Sequence, residues 1–305
     1  MSVDQSSKGT RKKILGMNID FGLTINDALR KIEEVINKGE GSHLVATSSP
    51  YFVMSAQENE EFMDAVNQSL LSVPDGVGVL YANYYLNKIA NMKRGFLFPI
   101  KAFFKGISCG IEGFVNKKEF GQPITGVDLT YSLCELSSKK DYTIFFLGGR
   151  KRDKKGNQVE DKESFDMAQE AAKKIMSLYP NVRIIGATSQ FSREESDDKA
   201  TMNYIHYCMK EHNVEHIDIL LVAYNPIQQE LWIQRNANKI PARISIGIGR
   251  TFDYISEEMK QPSAVYEKMH LSWLSTLIKQ PWRMKRVAMS FPIFPLKVFK
   301  ESLKS

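Results

Sequence analysis

The sequence predicts an α/β protein with a Rossmann-like, largely parallel sheet flanked by helices. Three observations support this fold class. Short apolar segments alternate with segments of helical period along the 305-residue chain. Within the apolar segments, polar and apolar residues do not alternate, which is typical of strands that helices cover on both faces. Several of these segments end in Gly, Pro, Asn, Ser or Thr, the residues that form turns.

The first half of the chain begins with an expected strand at 13–19 and an amphipathic helix at 24–38. Thr24 precedes that helix as a cap, and Asp27 lies in its first turn. The apolar segment 43–46 ends in a polar turn that opens the next helix. Further along, we expect a helix at 52–69, a strand at 70–73, a helix at 79–86 and a helix at 126–139.

The second half continues the alternation of strands and helices. The segment 217–223 is almost wholly apolar, and Pro226 stands at the start of the helix that follows it. We expect the remaining strands at 142–147, 182–185 and 243–248, and the remaining helices at 162–178 and 193–211. These elements predict one core domain, residues 1–268, followed by a C-terminal appendage at 269–305.

Composition and charge restrict the classes of partner and compartment. A hydrophobic content of 43% suffices for a large core, and the formal charge of +6 suggests an anionic partner: nucleic acid, a phospholipid surface or a phosphorylated substrate. The three cysteines have no paired spacing, which favours a reducing cytoplasm. The His and Cys spacing predicts no metal site. We expect neither a secretory leader nor a membrane-spanning helix.

The stretch 69–82 places an acidic side chain at the end of a predicted strand. Pro74 stops the apolar segment 70–73, and Asp75 and Gly76 then lead into a predicted helix. In open α/β sheets, ligands bind at the carboxyl ends of the strands, beside helix starts with free N–H groups. Asp75 is therefore a candidate site residue. The alternative is that Asp75 only caps the helix.

Eight motifs in order along almost the whole chain resemble the WecG/TagA/CpsF family of bacterial glycosyltransferases. They are TSSP at 47–50, PDGVG at 74–78, TGVDL at 125–129, FFLGG at 145–149, LYPNVRIIGA at 178–187, NPIQQELWI at 225–233, GIGRTFDYIS at 247–256 and LSWLSTLIKQPWRMKR at 271–286. Eight linked motifs are more specific than a single glycine-rich loop. Composition and periodicity indicate only a parallel α/β protein, so the family assignment depends on these motifs.

The resemblance implies transfer of a sugar from a UDP-sugar to a polyprenyl-diphosphate-linked saccharide at the cytoplasmic face of the cell membrane. It implies an inverting reaction without metal or cofactor, with Asp75 as general base and Thr47 in the same pocket. Such a transfer needs a carboxylate to take the proton of the acceptor hydroxyl. The absence of an Asp-x-Asp motif agrees with a site without a divalent cation. The expected donor sugar is of the N-acetylmannosamine type or a hexose.

The resemblance also implies a set of donor- and nucleotide-binding residues, whose glycines let the backbone approach the nucleotide. They are Gly76, Gly148, Gly149, Asn225, Gln229, Glu230, Gly247, Gly249, Arg250, Phe252 and Asp253. For Gln229 and Glu230 the alternative is a surface position on an amphipathic helix, and for Asp253 it is a helix cap. Ser49 stands where the family has Asn, and Arg250 adds a positive charge beside the expected donor pocket.

The predicted appendage at 269–305 combines basic residues with Trp, Phe and Leu, as in a chain that lies on an anionic bilayer. In the family this appendage implies membrane targeting and arginines that close over the active site. Arg283 and Arg286 match two of these and are expected to bind the acceptor diphosphate, whereas a third position holds Thr276. The alternative is a helix that packs on the core, followed by a disordered tail.

The segment 87–122 is longer than the family normally has at this place. Because it mixes Phe, Leu and Lys, our hypothesis is a second membrane-contacting hairpin beside the acceptor site. The alternative is a helical hairpin at a subunit interface, in a homo-oligomer.

Functions from other classes have less support. A nucleotide-dependent dehydrogenase needs Gly-x-Gly-x-x-Gly after the first strand, and 14–23 has no such run. No nucleic-acid-binding motif is present, so nucleic acid is not an expected partner. The alternative within the family is a member without catalysis that acts as a membrane-associated scaffold for another glycosyltransferase. The presence of Asp75, Thr47 and the Gln229-Glu230 pair argues against it.

Overall fold

A computed structural model describes residues 9–115, 120–149, 165–256 and 284–304 of the chain. The strands are β1 (Thr10–Ile14), β2 (Met17–Phe21), β3 (His43–Ser48), β4 (Leu71–Pro74), β5 (Thr143–Gly148), β6 (Arg183–Thr188), β7 (Ile217–Ala223) and β8 (Ala242–Gly247). The helices are α1 (Ile25–Lys38), α2 (Pro50–Ala56), α3 (Glu60–Asn67), α4 (Val77–Ala90), α5 (Phe98–Val115), α6 (Gly126–Lys140), α7 (Met167–Leu178), α8 (Glu195–Glu211), α9 (Gln228–Asn236), α10 (Thr251–Ile255), α11 (Met284–Ala288) and α12 (Phe294–Ser302), with a π-helical turn at Met289–Ile293. Strands β3 to β8 form one parallel sheet in the order β4-β3-β8-β7-β5-β6, and β1 and β2 form an antiparallel pair.

The parallel sheet is buried on both faces, as its apolar strands predict. Every residue of β5 and of β7 is buried. Ile219 and Leu221 of β7 join the apolar cluster that contains α1, α6 and α7. Leu220 and Val222 join a second cluster, on α8 and α9. Because successive residues of a strand point to opposite faces, a sheet covered on both sides needs apolar residues throughout, and the predicted fold class is confirmed.

The expected first strand at 13–19 is wrong, because this segment is a β-hairpin. Leu15 and Gly16 both have positive φ, of 48° and 86°, as in the two-residue turns that join paired strands. A positive φ at leucine is uncommon and carries no clear sequence signal. The hairpin is attached to the sheet by Asp20, whose carboxylate accepts a hydrogen bond from the N–H of Ser72 in β4 (2.8 Å).

Capping residues set the ends of the first helices. Thr24 and Asp27 form the reciprocal capping box of α1, with each side chain accepting a hydrogen bond from the other's N–H, which confirms the predicted start. The single helix expected at 52–69 is wrong. Asn59 begins a new helix, α3, by accepting a hydrogen bond from the N–H of Phe62 (2.9 Å).

The remaining elements lie where the pattern predicts them, with shifted ends. β7 has its predicted bounds, and α6 is one residue longer than predicted. α4 extends beyond its predicted range of 79–86 at both ends. Of the helix expected at 162–178, the described part begins at Met167, and residues 162–164 lie outside the described ranges.

The segment after α4 forms the helix α5, residues 116–119 lie outside the described ranges, and the hairpin expected at 87–122 stays a prediction. Phe98 and Ala102 of α5 are buried in a cluster that also contains Phe294 and Val298 of α12. The described end of the expected appendage therefore packs on the core along one side, and residues 269–283 lie outside the described ranges. Among the described helices, none is both long and apolar enough to cross a membrane.

Candidate active site

The carboxyl ends of the parallel strands lie along one edge of the sheet. At the neighbouring strands β7 and β5, the connections that leave these ends run to opposite sides. β5 leads through α7 to β6 on one side, whereas β7 leads through α9 to β8 on the other. In an open α/β sheet, the ligand crevice opens at such a switch point. The strand ends along this edge carry Thr47, Asp75, Gly76, Gly148, Gly149, Asn225, Gly247, Gly249 and Arg250.

Asp75 directly follows β4 at this edge. Its backbone N–H donates a hydrogen bond to the carbonyl oxygen of Ser48, at the end of β3 (2.9 Å). The N-cap of α4 is Gly76, with φ of 93°, and among the described residues no side chain makes a capping hydrogen bond to α4. The alternative that Asp75 only caps the helix is therefore wrong. The carboxylate stands beside a helix start that favours anions.

Burial raises the pKa of Asp75 to about 6, because the charged carboxylate loses part of its hydration. The positive charge of Arg286 lowers this pKa, and the carboxylate of Asp128 raises it, both more weakly than burial does. Asp75 is thus mostly ionised at neutral pH, yet it is a stronger base than an exposed carboxylate. Sequence reasoning missed Asp128, although the motif at 125–129 contains it.

Two arginines, Arg250 and Arg286, lie close enough for their charges to interact, and the charge of Arg286 also acts on Asp75. Arg286, in α11, lies over the ring of Tyr51, with its guanidinium carbon 4.8 Å from the ring centroid. Burial lowers the pKa of Arg286, the phenol groups of Tyr51 and Tyr254 and the Asp75 carboxylate raise it, and the charge of Arg250 lowers it. Arg250 donates a hydrogen bond from Nε to Asp253 Oδ2 (2.5 Å). Arg250 is the N-cap of α10 and Asp253 is its third residue, so Asp253 does not occupy the cap position.

Thr47 lies at the strand end next to Asp75. In the strand register it pairs with Val73 of β4, two residues before Asp75. The Thr47 hydroxyl is buried and donates a hydrogen bond to the carbonyl oxygen of Gly247 in β8 (3.3 Å). Thr47 therefore connects the end of β3, which adjoins the strand that carries Asp75, to the end of β8.

Gln229 and Glu230 form a buried brace behind the turn after β8. Gln229 Nε2 donates to Glu230 Oε1 (2.7 Å), and Gln229 Oε1 accepts from the N–H of Gly249 (2.9 Å). Glu230 Oε2 accepts from the N–H of Ile227 (2.8 Å). A side chain at Gly247 would overlap both residues, so glycine is required there. The surface alternative for the pair is wrong, and their contact with a donor stays a prediction.

The brace also supports an unusual backbone conformation at the start of α9. Asn225 and Ile227 have positive φ, of 79° and 78°. For a β-branched residue such as Ile, a sparsely populated conformation of this kind costs about 1–3 kcal/mol. Glu230 holds the Ile227 N–H and therefore fixes the turn that carries Asn225. Burial raises the pKa of Glu230 to about 7.

Glu230→Gln is expected to lower the free energy of unfolding by about 1–3 kcal/mol, although the two side chains have the same shape. Both Glu230 oxygens accept hydrogen bonds, whereas an amide offers one acceptor and sets a donor against a donor. Urea unfolding measures the difference, with Glu34→Gln on the exposed side of α1 as the matched control. Equal stability of the two variants would contradict the role of the brace.

Gly148, Gly149 and Phe252 pack against other parts of the protein. A Cβ at Gly148 would come within 2.8 Å of the Tyr224 ring, and one at Gly149 within 3.2 Å of Phe252. Phe252 is fully buried and stacks on Phe146, with ring centroids 4.7 Å apart. Internal packing therefore accounts for these residues, and their contact with a nucleotide stays a prediction.

Comparison of the sequence with known protein families identifies the family of this chain. The model of the glycosyl transferase WecG/TagA/CpsF family matches residues 12–95 and 113–305. The chain belongs to the WecG/TagA/CpsF family. The resemblance predicted from the eight motifs is thereby confirmed.

The curated relatives of this WecG/TagA/CpsF protein include three that share the name N-acetylglucosaminyldiphosphoundecaprenol N-acetyl-beta-D-mannosaminyltransferase. The one from Bacillus subtilis (strain 168) is 24% identical over 258 residues, covering 85% of this chain and 79% of the relative. The one from Bacillus spizizenii (strain ATCC 23059 / NRRL B-14472 / W23) is 20% identical, covering 88% and 83%. The one from Staphylococcus aureus (strain MRSA252) is 19% identical, covering 100% and 98%.

In this WecG/TagA/CpsF protein, a charged group at the strand ends is separate from the buried brace. The charged group consists of Asp75, Asp128, Arg250 and Arg286, and the phenol of Tyr254 interacts with Arg286. Sequence reasoning missed Tyr51 and Tyr254. Tyr51 directly follows the motif at 47–50, and Tyr254 lies within a motif, so proximity to a motif was their available signal. Arg283 lies outside the described residues.

Proposed function

We propose that this protein transfers a sugar from a UDP-sugar to a polyprenyl-diphosphate-linked saccharide, with inversion, during synthesis of a bacterial cell-surface polysaccharide. The observation that supports it most is the Asp75 carboxylate, whose pKa burial raises to about 6, beside the Arg286 charge at a strand end. A general base next to a cation, at the carboxyl-end edge of a parallel sheet, suits glycosyl transfer from a nucleoside diphosphate.

In the proposed reaction, an acceptor hydroxyl attacks the anomeric carbon from the face opposite to the UDP group. A C–O bond forms to the acceptor, the C–O bond to the UDP phosphate breaks, and the hydroxyl proton passes to Asp75. UDP leaves with the bonding electron pair, so its diphosphate gains negative charge. We assign Arg250 and the start of α4 to stabilise this charge, a role that needs no metal.

We assign the acceptor diphosphate to Arg286, with Arg283 as a further candidate. Guanidinium groups bind such oxygens with two parallel hydrogen bonds. Because the charge of Arg286 acts on Asp75, an acceptor held by Arg286 would have its first sugar near the general base. Thr47, at the neighbouring strand end, is assigned to position the donor sugar or Asp75 itself.

The names of the relatives support N-acetylmannosamine as donor sugar and an N-acetylglucosamine linked to a lipid diphosphate as acceptor. A hexose is the second candidate. It is favoured by Ser49, which stands where the family has Asn and whose hydroxyl accepts a hydrogen bond from the N–H of Phe52 (3.4 Å). A lipid-linked acceptor also supports peripheral binding at the cytoplasmic face of the cell membrane.

Release of UDP from purified protein tests the proposal. The protein is mixed with a short-chain prenyl-diphosphate N-acetylglucosamine acceptor and, separately, with UDP-N-acetylmannosamine, UDP-N-acetylglucosamine or UDP-glucose. We expect UDP release that requires the acceptor, is unaffected by EDTA and is fastest with UDP-N-acetylmannosamine. NMR of the product is expected to give the inverted anomeric configuration.

Asp141→Asn serves as the matched control for an active-site carboxylate. Asp141 is exposed, precedes β5 at the opposite edge of the sheet and has a φ of 60°, which Asn tolerates. This variant is expected to keep wild-type activity. Absence of UDP release with all three donors would contradict the proposed function and favour the scaffold alternative.

A further inference from the structure

Helix α5 is apolar on two opposite sides. Phe98 and Ala102 are buried against the core. Ile100, Phe104 and Ile111 lie on the other side and are 54%, 63% and 61% exposed. Their spacing of four and seven residues puts them on one helix face, with Ile107 between them. The exposed stripe therefore points away from the core.

The described surface has its large apolar side chains concentrated in two segments. Twelve of the fifteen that are exposed lie at 96–111 or at 284–303. Scattered single residues of this kind are normal, but a contiguous patch marks an interaction surface. The two segments are joined, because Phe103 of α5 contacts Phe299 of α12, with ring centroids 5.8 Å apart. Arg94 Nη1, before α5, also donates to the carbonyl oxygen of Ser302 (2.9 Å).

The charge of this surface indicates which kind of partner can bind to it. Residues 91–115 and 284–304 contain nine Lys and Arg against two Glu. Glu112 pairs with Lys105 (3.0 Å) and Glu301 with Lys304 (2.9 Å). Because Arg286 lies at the Asp75 site, six Lys and Arg of these segments remain beyond the two pairs. A second copy of this chain would bring like charges together, which opposes association. An anionic bilayer accepts both the apolar stripe and the basic residues around it.

The family model omits residues 96–112, which contain most of α5 and its whole exposed stripe. The described C-terminal segment that carries Arg286 to the Asp75 site continues into α12, which adjoins α5. The surface is thus connected to the site by one short segment of chain.

We propose that α5, an addition to the family fold, forms with α12 a docking surface that enters the headgroup region of an anionic bilayer. The apolar and basic side chains of this surface support binding to a bilayer, whatever reaction the protein carries out. The further consequence, that docking brings a lipid-linked acceptor to Asp75, rests on the proposed function.

Vesicle binding of the full chain tests the proposal. The variant is Phe104→Gln with Ile111→Gln, and the matched control is Met176→Gln with Tyr207→Gln, which removes exposed apolar side chains on α7 and α8. With phosphatidylcholine vesicles that contain about a third phosphatidylglycerol, we expect the partition coefficient of the variant to fall at least about tenfold and that of the control to change less than about twofold. Wild-type binding is expected to weaken by at least about tenfold in vesicles of phosphatidylcholine alone.

Thermal unfolding of the variant is expected to match the wild type, because both substituted residues are exposed. Unchanged vesicle binding by the folded variant would overturn the proposal. So would a wild-type dimer that the substitutions turn into a monomer while vesicle binding stays the same.

Activity assays separate this inference from the proposed function. The variant is expected to keep wild-type UDP release with a short-chain, water-soluble acceptor and to lose it with an acceptor embedded in vesicles. If the wild type releases no UDP but the variant still loses vesicle binding, the proposed function fails and the docking surface stands. If the wild type is active and the variant binds vesicles normally, the docking surface alone fails.

Discussion

Asp75→Asn is expected to lower kcat by about 10²- to 10⁴-fold, because a positioned general base contributes a factor of this size. The Asn amide cannot take the proton of the acceptor hydroxyl. Donor binding is expected to persist, since the backbone N–H bond from residue 75 to Ser48 does not depend on the side chain. UDP release measures kcat, and the stabilisation of the folded protein by UDP measures binding. Activity within about threefold of wild type would show that Asp75 is not the base.

The same substitution is expected to raise stability at neutral pH. The pKa of Asp75 in the folded protein, about 6, lies above its ordinary value of 3.8, so the fold favours the protonated carboxyl. This contribution is fully present below pH 3.8 and is lost as the pH rises to about 6. Asn removes the unfavourable charge, and we expect an increase of about 3 kcal/mol in the free energy of unfolding at neutral pH. A rise in stability together with a loss of activity distinguishes a catalytic residue from a structural one.

Arg286→Gln is expected to reduce kcat/KM by about 10²-fold, through loss of a charged hydrogen-bonding partner for the acceptor diphosphate. It is also expected to move the pH profile. Activity of the wild type should rise with pH to a plateau above about pH 6, as Asp75 ionises. Because the Arg286 charge lowers the pKa of Asp75, its removal is expected to shift this rise to higher pH.

Two further variants make this prediction specific. Lys285→Gln removes the neighbouring exposed charge and is expected to leave the pH profile unchanged. Arg286→Lys keeps the charge but loses the planar contact with Tyr51, so we expect an intermediate kcat/KM and a smaller shift in pH. A pH profile of Arg286→Gln that coincides with the wild type would contradict the coupling of Arg286 to Asp75.

Most of the parallel sheet can be predicted from the sequence, because its signals are local. The strand β7 is recognised by an almost wholly apolar segment that ends in a turn, and the start of α1 by Thr24 followed three residues later by Asp27. The hairpin turn at Leu15 and the break before Asn59 were missed. Each feature depends on a single residue whose type is also common in other backbone conformations.

The candidate site could be predicted in part, through motifs that mark strand ends. Asp75 was found because it follows an apolar strand, and Thr47 was found through the family resemblance of the motif at 47–50. Tyr51, Asp128 and Tyr254 were missed, since their relevance arises from their effect on Asp75 or Arg286.

The sequence by itself determined a parallel α/β protein of a known family, with an acidic residue at a strand end and a basic, aromatic C-terminus. These features follow from residue type and spacing within short segments. Only the tertiary structure decided that Arg286 meets Asp75, that Glu230 is a buried brace and that α5 and α12 form one exposed apolar surface. Such contacts join residues far apart in the chain, and packing, which no local pattern encodes, brings them together.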